Sequence, residues 1–111
     1  MLLLESDSEK RVVLINALRK AGLPVSGASS IAEIERWPDD LVITDARCFT
    51  QWWKTVGARF VVVLASTPEE GAEACARGAT LWLPRECSPD WLVSVVRSVL
   101  NEPQNSGESL H

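Results

Sequence analysis

The 111-residue chain is 46% apolar and 23% charged, which suits one domain with a real core, is too short for two, and is too apolar for a disordered segment. Its formal charge of −4, without a basic run, argues against nucleic-acid binding by this domain alone. No apolar run approaches the ~20 residues needed to span a bilayer, and "MLLLESDSEK" is too short and too acidic for a secretory signal, so a cytoplasmic location is expected.

The first apolar run, "LLL" at residues 2–4, leads into "SEKRVVLINALRKAG", which places Val12, Ile15, Leu18 and Ala21 on one helical face before Gly22 supplies a positive-φ stop. Ser6 and Glu9 have the S-x-x-E spacing of a capping box, and Asp7 reads as a helix-start residue. "LPVSG" is a weak second strand, and "SIAEIERW", with Ser30 and Glu33 at capping-box spacing, predicts a short helix ending before Pro38. "DLVITD" is a strand without polar alternation, as expected when helices cover both faces of a parallel sheet, and it delivers Asp45 at its C-terminal end. "CFTQWWKTVGA" predicts a short, poor helix before Gly57, and "RFVVVLA" is again a continuous buried strand. In "TPEEGAEACARGA", Thr67 is the N-cap, Pro68 the first helical residue and Gly78 the stop, with Glu69 and Glu70 in the first turn. "TLWLP" is the fifth strand, and "SPDWLVSVVRSVL" is the last helix, with Trp91, Leu92, Val95, Val96 and Val99 as its core stripe.

Strand and helix thus alternate five times with short connections. The natural solution is a three-layer, flavodoxin-like (βα)5 domain over residues 1–100, with a five-stranded parallel sheet in the order 2-1-3-4-5. Residues 101–111, polar and aperiodic, read as a disordered tail or linker. Ligands of such sheets bind where the strand order reverses, here between strands one and three. Glu5, Ser6 and Asp7 leave strand one there and Asp45 leaves strand three, so acids forty residues apart in sequence should meet. Such a cluster attracts a hard cation such as Mg²⁺, beside which a carboxylate can act as nucleophile toward a phosphoryl group. The bland alternative for Asp45 is a buried acid paired with Arg85 or Arg47, or an N-cap for the helix after it. The widely spaced Cys48, Cys75 and Cys87 indicate free thiols, and a sole histidine at the last position, His111, closes off histidine chemistry.

Residues 1–100 resemble the receiver domain of two-component response regulators. "LLLESDSEKR" is similar to that family's opening strand and acid turn, "DLVITD" to the strand ending on the phospho-accepting aspartate, and "ACARGATLWLPRE" to the segment leading to its essential lysine. The resemblance implies Asp45 as phospho-acceptor, Glu5 and Ser6 at the two metal-holding acids, the backbone carbonyl of Arg47 as a further Mg²⁺ ligand, and Arg85 as the cation that pairs with the phosphoryl group. It also implies a histidine kinase or small phosphodonor, an output domain or partner protein, a possible homodimer, and no enzymatic activity beyond self-phosphorylation at Asp45.

Several positions depart from the family pattern. Ser6 replaces an acid, and a neutral hydroxyl holds a divalent cation poorly. Arg85 replaces a compact ammonium with a planar fork. The family's switch hydroxyl falls on Ala65 or, in the neighbouring register, on Ser66, and its switch aromatic falls on Trp82, whose bulk favours a fixed conformation. Glu86 stands where the family has proline. The short spacing from Asp45 to Ala65 predicts a truncated third helix. Adjacent helical residues lie ~100° apart, so Trp52 and Trp53 cannot both face inward: either one is exposed to a partner or both pack under the shortened loop. The expected function is an atypical receiver acting as a phospho-aspartate or phosphorylation-independent switch. The alternatives are a constitutive dimerisation or docking module and a small-ligand-binding domain of the same fold.

Overall fold

A computed structural model of the chain describes residues 1–38, 40–52, 54 and 58–108, the last seven by backbone alone. Strands β1 (Leu2–Leu4), β2 (Ser26–Ala28), β3 (Leu41–Asp45), β4 (Phe60–Ala65) and β5 (Leu81–Pro84) form one sheet in the order β2-β1-β3-β4-β5. All its pairings are parallel. The helices are α1 (Ser8–Lys20), α2 (Ala46–Trp52), α3 (Pro68–Ala76) and α4 (Pro89–Glu108). The flavodoxin-like topology expected from the sequence is therefore present, with four α-helices among the described residues.

Period-two alternation divides the buried strand residues between two cores. Leu3, Leu41, Ile43, Val62 and Leu64 pack with Leu14 and Leu18 of α1 and Leu92, Val96 and Val99 of α4. Leu2, Leu4, Val42, Val61 and Val63 point the other way, onto Phe49 and Trp52 of α2 and Ala74 of α3. With both faces covered, β3 has no exposed side chain, which accounts for its unbroken apolar run. Among the described residues, no helix is long and apolar enough to cross a membrane.

Four local expectations are corrected. The predicted helix after β2 is only a single 3-10 turn, Ile31–Glu33: Ser30 caps nothing, and the Glu33 carboxylate instead accepts from the Ser29 amide at 2.6 Å and its hydroxyl at 2.8 Å. Those two donors also hold the Glu33 carboxyl below its usual range. The cap of α1 is Asp7, accepting from the amides of Glu9 and Lys10, not a Ser6–Glu9 box. Val12 and Trp91 are 54% and 48% exposed, because Leu14 and Leu18 carry the α1 stripe and Leu92, Val96 and Val99 that of α4. The backbone of α4 stays helical to Glu108, past Leu100, where the apolar periodicity ends.

Helix α2, the one expected to be truncated, is short and follows β3 with no intervening loop. Trp52 is buried, 4.9 Å from Trp37 and 5.2 Å from Phe49 between ring centroids. Trp53, the other half of the expected pair, lies outside the described residues. Gly22 and Gly78 adopt φ of 85° and 111°, the positive values that ending α1 and α3 requires.

Candidate functional site at the strand ends

The register sets Leu3 against Ile43 and Leu4 against Thr44, so Glu5 leaves β1 level with Asp45 at the end of β3. Both carboxylates are fully buried. Asp45 Oδ1 accepts from the Cys48 amide at 2.7 Å, so Asp45 caps the helix that begins one residue later. Its Oδ2 accepts from the Ser6 hydroxyl at 3.3 Å and lies 3.7 Å from Nη1 of Arg85. Glu5 Oε2 accepts from the Asp7 amide and from Nη2 of Arg85, both at 3.0 Å, whereas Oε1 is buried without a hydrogen-bond partner. One guanidinium therefore reaches both acids, using the two arms of its fork.

Backbone contacts hold Arg85 in place. Its amide donates to the Ala65 carbonyl at 2.9 Å, and Lys10 Nζ of α1 donates to its carbonyl oxygen. Arg11 adds a 2.7 Å hydrogen bond to the Glu5 carbonyl. Nothing local in the sequence marks the Lys10 and Arg11 contacts. The amide of Cys48, by contrast, was signalled by its place three residues after an acid at a helix start.

The electrostatics of the two acids diverge. Burial pushes the Glu5 carboxyl above its usual range, and Asp45 pushes it further, against the opposing pull of the Asp7 amide and Arg85. Burial also opposes charge on Asp45, but the Cys48 amide and thiol, the Ser6 amide and Arg85 outweigh it and hold this carboxyl low. The Cys48 thiol is pushed up to about 12, first by burial and then by its hydrogen bond to Asp45, so it stays a protonated donor.

Of the other residues expected at the site, Arg47 and Ser66 share a cavity lining with Ser6 and Arg85, whereas Ala65 and Trp82 lie on β4 and β5. Arg47 is in the first turn of α2, and its carbonyl accepts from Thr50 Oγ1 at 2.7 Å. Helix carbonyls point toward the C-terminus, so this oxygen is directed away from the strand ends. Ala65 is buried in β4 and carries no hydroxyl. Ser66 donates its amide to Glu70 Oε1 at 2.8 Å and lines a cavity of about 250 Å³ with Ser6, Arg47, Glu70 and Arg85. Trp82 is half-buried on β5, against α3.

This donor set does not suit Mg²⁺, which demands a near-octahedral shell of oxygens. Among the described residues, no three His, Cys, Asp or Glu side chains gather to hold a metal. Glu5 Oε1 is the one carboxylate oxygen of the pair without a hydrogen bond, and the Arg85 guanidinium already lies within ion-pair distance of both acids.

No family model and no curated protein matches the sequence. Solved structures do match the fold. A CheY-like receiver domain protein from Methanospirillum hungatei JF-1 superposes with a TM-score of 0.77 at 16% identity, covering 95% of each chain. The chemotaxis response regulator CheY4 of Vibrio cholerae gives 0.76 at 23% identity, over 89% of this chain and 96% of that one. An orphan response regulator of H. pylori gives 0.73 at 22% identity, over 89% and 93%. The fold is that of response regulator receiver domains.

Proposed function

We propose that the chain is an atypical receiver module that acts through protein contact without phosphorylation of Asp45. The observation that carries this reading is the Arg85 guanidinium, 3.0 Å from Glu5 and 3.7 Å from Asp45. An acid that accepts a phosphoryl group needs a free oxygen and a divalent metal ion held beside it to neutralise the incoming charge. Oδ1 of Asp45 is committed to the first turn of α2, and Oδ2 faces Ser6 and Arg85. Attack through Oδ2 would have to displace the guanidinium, with only Glu5 left to help recruit a metal.

The triad replaces the charges of metal and phosphate with one permanent cation from the chain itself. The domain then serves, in the cytoplasm, as a fixed docking or dimerisation element for an output domain, a partner protein or a second copy. It has no catalytic role.

The test is tryptophan fluorescence during titration with Mg²⁺ and then with beryllofluoride, a phosphoryl mimic, on the wild type and on Asp45→Asn. The expected result is no saturable change in either protein. A saturable change that Asp45→Asn abolishes would establish Asp45 as a working acceptor and overturn the proposal.

A further inference from the structure

Gly71 lies in the interior of α3, its amide donating to the Thr67 carbonyl at 3.1 Å, and its site is buried. Alanine is normally preferred at such a position, because glycine loses more backbone freedom on folding. The reason for glycine lies across the interface. A Cβ at this position would stand 2.1 Å from Cδ2, 2.4 Å from Cε2 and 2.5 Å from Cγ of Trp82. The indole thus occupies the volume that any side chain at 71 would need.

The neighbouring residue ties the same helix to the strand ends. Glu70 accepts from the Ser66 amide, donates its own amide to Thr67 Oγ1 at 3.2 Å, and lines the cavity beside Ser6 and Arg85. The first turn of α3 is therefore capped beside the cavity that Ser6 and Arg85 line, and its next residue lies under the ring on β5. For α3 to slide along the sheet, the half-buried Trp82 ring would have to leave its place over Gly71.

We propose that Trp82 and Gly71 form a steric lock that holds α3 against β5 in one arrangement, so that the α3–β5 surface does not follow charge changes at Glu5, Asp45 and Arg85. This goes beyond the loss of phosphorylation, since it concerns whether the α3–β5 surface responds to any change at the strand ends.

The test is a double-mutant cycle read by melting temperature. Gly71→Ala should lower the melting temperature of the wild type. In a Trp82→Val background, which keeps a strand-forming residue on β5, the same change should raise it, because only the helix preference for alanine remains. If Gly71→Ala alone does not fold, rescue by Trp82→Val supports the lock equally. The same sign in both backgrounds, or a double variant that also fails to fold, would overturn it. The second readout is the Trp82 indole N–H resonance, identified by its loss in Trp82→Phe. It should stay in place in Asp45→Asn, and a shift there would show that the surface follows the site after all.

Discussion

Glu5 is the residue whose chemistry most constrains the site. It is buried beside a second acid, one of its oxygens has no hydrogen-bond partner, and its carboxyl titrates above the usual range, chiefly through burial. A group whose folded pKa is raised binds its proton more tightly in the native state than in the unfolded chain. Its contribution to stability is therefore complete below the ordinary value of 4.5 and is lost as pH rises through the folded pKa. Asp45, held low, has the opposite sign: its contribution is present above the ordinary 3.8 and lost as pH falls below it. Glu5→Gln keeps an oxygen for Arg85 and supplies an amide that can donate toward Asp45. Urea denaturation across this pH range should show the wild type losing stability as pH rises above 4.5, and Glu5→Gln lacking that slope. A wild-type curve that is flat there would mean that Arg85 fully offsets the burial of Glu5.

At the scale of the elements, helix starts are where the observed chain differs most from the sequence pattern. The Asp7 side chain accepts from the amides of Glu9 and Lys10 at 3.0 and 3.2 Å, and the Glu9 side chain plays no part in capping. Asp7→Ala should therefore cost about 1 kcal/mol in chemical denaturation. Glu9→Ala should stay within about 0.5 kcal/mol, whereas a capping box would make both costly. The strands and their order were legible because β1, β3 and β4 are unbroken apolar runs with helical patterns between them. The meeting of Glu5 with Asp45 was legible too, because topology alone brings the ends of β1 and β3 together. The 3-10 turn at Ile31–Glu33 was not, since the residue that Glu33 serves is decided by geometry one position away from the expected cap. The exposure of Val12 and Trp91 depends on how each helix is rotated against the sheet, which a period of 3.6 leaves open by about one residue. The fork of Arg85 between two acids, and the Lys10 contact that anchors its loop, rest on side-chain placement across 40 to 80 residues of sequence.

At the scale of the whole molecule, the triad lies where the two cores and both central strands converge, so its charge balance bears on the stability of the entire domain. Two carboxylates at 0% exposure face one guanidinium whose side chain is 24% exposed. Removing one partner of a buried charge cluster is far worse than never having built it, because the remaining charges stay desolvated and unpaired. Arg85→Ala should therefore destabilise the domain at neutral pH by roughly 3 kcal/mol. Like-charge repulsion would then raise the folded pKa of one acid further, so the lost stability should return as pH falls toward the ordinary carboxyl range. The same deletion opens the space between the two carboxylates. A divalent cation that binds only the folded variant stabilises it by mass action, so Mg²⁺ should raise the urea midpoint of Arg85→Ala more than that of the wild type at matched ionic strength. Equal responses would mean that the guanidinium does not stand in the cation's place, and that the failure of the site to suit a metal comes instead from Ser6 and the carbonyl of Arg47.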